Sequence, residues 1–213
     1  MRVEPLDAAG VADRALAALE RSPSAGAPAL RLGVDAAVPA DAAVFADAVE
    51  AALTSRGRPV LRVDSEDYLR PRSLRLEHGS RDPDSGYESW YDLYALLREV
   101  LDPLGPGGSG AWLPALWDAE RDRSTRLPRR DAPPGAVLVL TGPFLLRWEM
   151  SGALDAVVHL QTSAAAQRRR LPEGDADRIT GAWARYLEET DPAPRADVVV
   201  RCEDPRHPAV VVP

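Results

Sequence analysis

The chain contains no lysine and no asparagine, and its 213 residues include only one cysteine. All 26 of its basic residues are therefore arginines. No side chain can supply the compact ammonium charge of lysine, because the guanidinium group of arginine is a planar fork of different geometry. The single cysteine, Cys202, excludes an intramolecular disulfide and is typical of a reducing compartment.

Long apolar runs and a basic leader segment are also missing. No run approaches the roughly 18 apolar residues of a membrane span, and no basic segment precedes an apolar stretch near the N-terminus, so we expect neither a span nor a signal peptide. The 33 acidic residues outnumber the arginines and give a net charge of −7, which argues against a nucleic-acid partner. We expect a cytoplasmic protein without a membrane partner, and a homodimer stays open.

Length and pattern predict one domain over residues 1–213. Five short, nearly continuous apolar runs are typical of strands buried in a parallel sheet: residues 30–34, 59–63, 136–140, 156–160 and 197–201. Helical periodicity covers the stretches 6–19, 43–55, 89–101 and 175–189. This alternation predicts a three-layer α/β fold, in which helices cover both faces of a five-stranded, mainly parallel sheet and ligands bind at the C-terminal ends of the strands.

The segment 102–135 fits neither a strand nor a helix, because it is rich in proline, glycine and arginine. Trp112 and Trp117 lie within it and indicate that part of the segment packs against the domain. We interpret residues 105–130 as an excursion, or lid, at the substrate edge of the sheet.

Residues 31–53 have the arrangement of a phosphate-binding loop, with a strand, a short loop and a helix expected to begin near Ala42. A working loop reads G-x-x-x-x-G-K-[ST] and holds phosphates and Mg²⁺ with its backbone amides, lysine and hydroxyl. All four signature positions differ in this chain, where they are Ala36, Asp41, Ala42 and Ala43. We expect Asp41 to cap the helix and to repel a phosphate there.

An acidic segment follows the second predicted strand. Glu66 and Asp67, with Tyr68 beside them, stand where a carboxylate could deprotonate a substrate hydroxyl. The alternative is a solvated acidic loop that caps the next segment.

An aromatic group follows at the start of the next predicted helix. Tyr87, Trp90 and Tyr91 could stack on a base, and Asp92 could accept hydrogen bonds from ribose hydroxyls. The alternative, a helix N-terminus with core aromatics, is favoured when these residues are considered without further context. Because both segments follow predicted strand ends or begin the next helix, we expect one cleft at the C-terminal edge of the sheet, partly covered by residues 105–130 and lined by Glu66, Asp67, Tyr68, Trp90 and Asp92.

Arginines follow the fourth predicted strand. Arg168, Arg169 and Arg170 could contact a phosphoryl group, or could form a solvated helix face. No histidine or cysteine cluster has the spacing of a metal site, so we predict no metal ligands.

Together these segments resemble the actinobacterial uridine kinase-like branch of the P-loop nucleoside kinases. The resemblance is carried by RLGVDAAVPADAAVFADAV, VLRVDSEDYLRP, LEHGSRDPDSGYESWYD and PPGAVLVLTGPFLL, among others. It implies a P-loop NTPase-like fold. It also implies that Glu66 acts as the base toward a nucleoside 5′-hydroxyl, that Asp92 holds the ribose and that Arg168 to Arg170 lie near the phosphates. Thr141 stands where the family has an acidic residue that helps to order Mg²⁺.

The resemblance and the altered loop lead to three hypotheses. The first is a nucleoside kinase-like protein that binds a nucleoside-like small molecule with little or no ATP-dependent phosphotransfer. The second is an active uridine or cytidine kinase with a non-standard phosphate clamp, which alone would require ATP and Mg²⁺ as cofactors. The third is a repurposed biosynthetic enzyme that uses the acidic pocket without ATP.

Overall fold

The computed structural model describes residues 2–24 and 26–212, and its centre is a seven-stranded sheet. The order across the sheet is β1-β11-β10-β9-β2-β8-β3. These strands are β1 (Arg2–Pro5), β2 (Ala29–Asp35), β3 (Val60–Asp64), β8 (Ala136–Gly142), β9 (Ala156–Gln161), β10 (Val198–Arg201) and β11 (Ala209–Val212). Two small antiparallel sheets pair β4 (Ala111–Trp112) with β7 (Arg130–Asp131) and β5 (Trp117–Asp118) with β6 (Arg123–Ser124).

The five predicted strands are all present and pair in parallel, as the continuous apolar runs indicated. β8 is buried along its whole length because helices cover both faces of the sheet. The two further strands, β1 and β11, pair antiparallel at one edge and were not predicted. β1 is mostly exposed, so it lacks the apolar run that identifies a central strand.

The helices form the outer layers. Their bounds are α1 (Ala8–Leu19), α2 (Pro39–Ser55), α3 (Arg72–Arg75), α4 (Pro83–Glu88), α5 (Leu93–Leu96), α6 (Asp102–Leu104), α7 (Ala164–Arg170) and α8 (Glu173–Thr190). One core packs α1 and α2 against the sheet, and a second core packs α5, the π-helical turn Leu97–Leu101 and α6 against the opposite face. No helix in the described ranges is both long and apolar enough to cross a membrane.

The helix after the first central strand begins earlier than expected. α2 starts at Pro39, and Val38 is its extended N-cap without a side-chain cap. Proline suits a first helical position because its φ is already helical and its missing N–H would have no partner there. The prediction that Asp41 caps this helix is wrong, because Asp41 is already its third residue.

The predicted helix over residues 89–101 is displaced. Residues Pro83–Glu88 form the separate helix α4, and helical structure resumes only at Leu93. The reason is local, since the Asp92 carboxylate accepts a hydrogen bond from the Ala95 amide and so fixes the N-terminus of α5. The helix expected at 175–189 is confirmed as α8, which begins two residues earlier.

The excursion packs closely on the segment that carries Glu66 and Asp67. The Leu116 amide donates to the Asp67 carbonyl, and the Tyr68 hydroxyl donates to the Leu113 carbonyl at 2.5 Å. Trp112 is buried in the second core, whereas Trp117 is half-buried and donates through Nε1 to Asp122. The prediction that part of this segment packs is confirmed.

Candidate functional site

Three polar residues meet where the central strands end. In the strand register Thr141 of β8 lies opposite both Val34 of β2 and Asp64 of β3, and Asp35 lies opposite Gly142. Because β2, β3 and β8 are parallel, their C-terminal residues share one edge of the sheet, which is the edge where α/β proteins of this kind bind ligands.

Thr141 is buried, and its hydroxyl donates to Asp64 Oδ2 at 2.6 Å. A carboxylate therefore does lie beside the end of β8, but it comes from the neighbouring strand. Ser65, the residue after Asp64, is fully buried against Gly142, where a Cβ would collide with the Ser65 hydroxyl. The close approach of these two segments therefore requires glycine at 142.

A buried polar network surrounds Asp35, which is inaccessible to solvent. Its carboxylate accepts from the Leu145 amide at 3.0 Å and the Tyr186 hydroxyl at 2.9 Å, and His159 Nδ1 lies 2.7 Å from it. Burial and the neighbouring Asp35 raise the pKa of Tyr186 well above its ordinary value, so the phenol remains a donor. The imidazole of His159 also stacks on Trp183 with ring centroids 5.7 Å apart. This network fastens α8 to the ends of β2 and β9.

The start of α2 carries an internal ion pair. Asp41 is 2% exposed, and its Oδ2 lies 3.2 Å from a guanidinium nitrogen of Arg170 at the end of α7. Arg170 also donates to the carbonyls of Cys202 and Glu203. Burial raises the pKa of the Asp41 carboxyl above its ordinary value, and the Arg170 charge opposes this shift. The backbone amides of Asp41 and Ala42 both donate to the Val38 carbonyl, so they already serve the first helical turn.

The loop between β2 and α2 is covered by protein. Ala36, Ala37 and Val38 are at most 4% exposed. Ala37 packs in a cluster with Phe144 and Trp183, and Val38 packs in another with Leu171. Both clusters are completed by α8.

The gap that remains between this loop, Tyr91, Phe144 and α8 is about 10 Å³, the space of a single water molecule at most. Phe144 has a left-handed backbone with φ of 68°, a strained conformation for a bulky residue. Its ring is held edge-on by Tyr87 and Tyr186. The aromatic packing thus maintains the strained residue that closes the loop.

Glu66 is the predicted catalytic residue that stays open to solvent. The Tyr91 hydroxyl donates to Glu66 Oε1 at 2.7 Å. Desolvation by the surrounding protein raises the pKa of Glu66, while this hydrogen bond and the charges of Arg178 and Arg75 oppose the shift. Burial likewise raises the pKa of Asp67. An accessible carboxylate with a raised pKa and a fixed donor can accept or deliver a proton.

The predicted aromatic residues are buried. Tyr68 is fully buried in the core, so the prediction that it lines a cleft is wrong. Two guanidinium groups lie over Trp90, with Arg178 at 3.4 Å and Arg75 at 5.1 Å from a ring centroid. Tyr87 is covered by Arg147 at 4.2 Å. Intramolecular partners therefore occupy the faces of Trp90 and Tyr87 that a base would need.

Asp92 lies close to Glu66 along paired backbone segments. The Asp92 amide donates to the Tyr68 carbonyl, and Leu69 forms a bridge with Tyr91. One carboxylate oxygen of Asp92 caps α5, and the half-buried side chain lines a shallow cleft with Arg70 and Tyr94. The predicted association of the two acidic segments is therefore present in the structure.

Of the three predicted arginines, only Arg170 reaches the loop region. Arg168 is exposed and pairs with Asp177 at 3.3 Å, and Arg169 is exposed. The arginine beside the acidic segment is instead Arg178 of α8, which is 5% exposed and pairs with Asp175. The close packing of α8 on α4 requires Gly86, where a Cβ would meet Arg178.

Sequence reasoning missed Asp35, Asp64 and Arg178 as members of this edge, and it gave Tyr91 a base-stacking role in place of its hydrogen bond to Glu66. Asp35 and Asp64 each directly follow a predicted strand, and that position alone was a usable signal. Nothing in the local sequence distinguished Tyr91 or Arg178 from neighbouring aromatic and basic residues, since their role depends on the packing of α8.

The described residues offer neither a cluster of metal ligands nor a reactive thiol at this edge of the sheet. Within residues 2–24 and 26–212, no group of three or more histidine, cysteine, aspartate or glutamate side chains could hold a metal ion. Burial raises the pKa of the Cys202 thiol to about 12, so a thiolate nucleophile is not available at neutral pH.

Comparisons with solved structures identify the fold. A possible uridine kinase from Bacillus stearothermophilus has a TM-score of 0.69 and 22% sequence identity, over 89% of this chain and 98% of the other. A candidate fructose transport system kinase from Silicibacter sp. TM1040 has a TM-score of 0.64 and 18% identity, over 87% and 95% of the two chains. D-glycerate 3-kinase from Cryptococcus neoformans var. grubii has a TM-score of 0.55 and 12% identity, over 87% and 88%.

No protein-family model matches the chain, and no curated protein matches its sequence. At these identities the structural likeness establishes the fold and not the reaction. The predicted α/β fold, with a mainly parallel sheet between helical layers, is confirmed: the chain has the fold of the P-loop kinases.

Proposed function

We propose that this protein is a nucleoside kinase-like protein that binds a nucleoside-like small molecule and has lost efficient ATP-dependent phosphotransfer. The observation that carries the proposal is the Asp41–Arg170 ion pair at the start of α2. The pair places the buried carboxylate of Asp41 at the helix N-terminus where a nucleotide phosphate would bind. It also occupies Arg170, which could otherwise contact that phosphate.

The electrostatics oppose a triphosphate at this position. A helix N-terminus attracts anions through its free amides and its dipole, but Asp41 occupies the third helical position here. Two like charges about 4 Å apart repel by about 4 kcal/mol at an effective dielectric of ~20. Arg170 offsets this repulsion only in part, because Asp41 already pairs with it. Ala42 and Ala43 supply neither a charge nor a hydroxyl, and the chain has no lysine.

The available space gives independent support. The loop of a phosphate clamp must face the ligand, whereas Ala36 to Val38 lie beneath α8 and Phe144. A gap of about 10 Å³ does not accommodate a phosphate chain. The residues at this position therefore do not fit Mg·ATP.

The substrate side keeps its accessible polar groups. Glu66 is open to solvent beside Tyr91, and Asp92 lies on the adjoining segment. Carboxylates at such a position can accept hydrogen bonds from the hydroxyl groups of a sugar. We therefore assign the nucleoside-like ligand to this side.

A panel of nucleosides with and without Mg·ATP tests the proposal. We expect no nucleoside monophosphate above a protein-free control, and at least one nucleoside that binds in a calorimetric titration. Asp92→Ser should weaken that binding by about 1–3 kcal/mol through the lost charged hydrogen bonds, because serine can still cap α5. Glu188→Ala, which removes an exposed carboxylate on α8, is the matched control.

Two results would count against this proposal. Turnover of uridine or cytidine at ordinary kinase rates would favour an active kinase with a non-standard clamp. An Asp92→Ser affinity equal to that of the Glu188→Ala variant would remove Asp92 from the ligand site.

A second candidate function, chemistry without ATP, is favoured by the environment of Glu66. This carboxyl is accessible, its pKa is raised by desolvation, and Tyr91 orients it. A general base must be ionised, so such an activity should rise with pH through the raised pKa of Glu66 and reach a plateau above it. Glu66→Gln should lower it by about 10²–10⁴-fold.

The measurement is the disappearance of each nucleoside in the absence of ATP, followed by chromatography over a pH series. Tyr91→Phe serves as a partial variant, since it keeps the carboxylate and removes only its donor. Consumption that is identical in the wild-type and Glu66→Gln proteins, or absent in both, rules this candidate out.

A further inference from the structure

A hollow at the C-terminal edge of the sheet has no part in the site described above. It measures about 450 Å³ and lies between α8 and the ends of β9 and β10, which is within the roughly 300–1,000 Å³ of small-molecule sites. In the sheet order, β2 and β8 separate β9 from β3, the strand that leads to Glu66. This α8 hollow is therefore distinct from the acidic segment, and its lining includes neither Glu66 nor Asp92.

The α8 hollow is open because α8 covers β9 but not the end of β10. His159 of β9 stacks on Trp183 of α8 with ring centroids 5.7 Å apart, whereas Arg201 at the end of β10 is exposed. Trp183 forms the closed floor with 1% of its surface exposed, and Leu187, one turn further along α8, is 42% exposed. The accessible apolar surface of the hollow therefore comes from Leu187.

Two polar side chains of the hollow lack a partner. Arg201 lies opposite Gln161 in the parallel register of β10 and β9, so the two side chains are neighbours on one face of the sheet. Both line the hollow, and neither forms an ion pair or a side-chain hydrogen bond with another residue of the ranges 2–24 and 26–212. A guanidinium group and an amide group are thus available as donors to a ligand.

The other polar groups of the lining are already engaged. Glu203 accepts hydrogen bonds from the Ser163 amide at 2.9 Å and from the Ser163 hydroxyl at 2.6 Å, one on each carboxylate oxygen. The Ser163 hydrogen bonds hold the pKa of Glu203 below its ordinary value, so this carboxylate stays ionised and paired. The Thr162 hydroxyl donates to the Cys202 carbonyl. Arg201 is therefore the one charged group of the lining, within the described ranges, that is left for a ligand.

We propose that the α8 hollow binds a small amphipathic carboxylate, with its charged group on Arg201 and Gln161 and its apolar body along Leu187. The planar fork of a guanidinium group matches the two oxygens of a carboxylate. A phosphate monoester carries a charge of about −1.5 to −2, which a single free arginine does not balance. The apolar wall selects against carboxylates without an apolar body, because they leave Leu187 in water.

Calorimetric titration with sodium octanoate and with 1-octanol tests this proposal. The two probes have the same apolar chain and differ in charge. Octanoate should bind the wild-type protein with a Kd on the order of 1 mM or tighter, and 1-octanol at least about tenfold more weakly, since it makes no charged hydrogen bond to Arg201. Octyl phosphate should bind no more tightly than octanoate. This comparison tests the charge of the site without any substitution.

Three variants locate the binding. Arg201→Met keeps the apolar stem and should weaken octanoate binding by about tenfold or more, without changing the affinity for 1-octanol. Leu187→Ser should weaken both probes by on the order of fivefold. Arg130→Met, which removes an exposed arginine of the excursion, is the matched control and should bind like the wild type. Circular dichroism confirms the fold of each variant.

Four results would overturn the proposal. They are an absence of octanoate binding up to about 10 mM, equal wild-type affinities for octanoate and 1-octanol, octyl phosphate that binds more tightly than octanoate, and an Arg201→Met affinity for octanoate equal to that of Arg130→Met. Because the nucleoside-like ligand is assigned to the side of Glu66 and Asp92, failure here leaves that assignment unaffected.

Discussion

Asp35→Ala should lower the free energy of unfolding by about 4 kcal/mol, a large part of the roughly 5–15 kcal/mol that stabilises an ordinary domain. The substitution leaves three donors without an acceptor in a site closed to water: the Leu145 amide, the Tyr186 hydroxyl and the Nδ1 proton of His159. Each buried donor left unsatisfied costs about 1–3 kcal/mol. Urea denaturation followed by circular dichroism measures the effect.

Two related variants separate the polar network from simple loss of volume. Asp35→Asn keeps the side-chain volume and one acceptor for the Leu145 amide, but it leaves the Tyr186 hydroxyl and His159 without theirs, so we expect about two-thirds of the loss. Tyr186→Phe removes a single hydrogen bond and should destabilise by about 1–2 kcal/mol. An Asp35→Ala protein within 1 kcal/mol of the wild type would show that the network does not hold α8 on the sheet.

Arg170→Met should destabilise the protein by about 3 kcal/mol at neutral pH. Removing one partner of a buried ion pair leaves an uncompensated charge, and such changes cost about 3–5 kcal/mol when both groups are buried. The side chains of Asp41 and Arg170 are 2% and 20% exposed, so we expect the lower end of this range. Methionine retains most of the apolar packing of the arginine stem.

The double variant and the pH dependence identify the cause. Asp41→Ala with Arg170→Met should recover most of the lost stability, since the pair is then replaced by apolar groups. Burial already raises the pKa of Asp41 in the folded protein, and loss of Arg170 removes the charge that opposes this. The folded state then favours the protonated acid, so the destabilisation is present above the folded pKa of Asp41 and disappears as the pH falls through it.

A single-variant control completes this test. Arg168→Met removes an exposed arginine that pairs with the exposed Asp177, and exposed pairs of this kind contribute about 0–1 kcal/mol. If Arg170→Met costs no more than Arg168→Met, or if its effect does not depend on pH below neutrality, Asp41 and Arg170 do not form the buried pair described above.

The strands of the central sheet could be predicted because each strand is identified by the apolar pattern of its own residues. Runs such as Ala136–Leu140 are apolar without interruption, and only a strand with both faces covered uses such a run. The edge strand β1 could not be predicted in this way, because it is mostly exposed and needs no apolar pattern. β11 is a short apolar run, Ala209–Val212, and was a usable signal that the prediction missed. The pairing of these two strands joins distant parts of the sequence. Pro39 indicated where α2 begins. The prediction instead followed the phosphate-loop pattern and placed the start of the helix near Ala42.

The sequence predicted where the site residues lie in the fold, but it did not predict which of their side chains face the site. Glu66 and Asp92 were placed near each other because both follow or begin elements that end at one edge of the sheet. Tyr68 and Trp90 belong to the same segments, yet their side chains turn into the protein. Whether an aromatic residue faces the ligand or the core depends on α8 and the excursion, which lie elsewhere in the sequence and leave no local signal.

Calorimetric titration of the unmodified protein with Mg·ATP tests the central claim most directly. We expect no binding heat up to about 1 mM, corresponding to an affinity weaker than about −4 kcal/mol. The variant with Ala36→Gly, Asp41→Gly, Ala42→Lys and Ala43→Thr should recover measurable binding, because it removes the carboxylate, frees Arg170 and restores the loop groups. Ala42→Lys alone should not recover it, since Asp41 would pair with the new ammonium. A micromolar affinity for Mg·ATP in the unmodified protein would contradict the account and favour an active kinase.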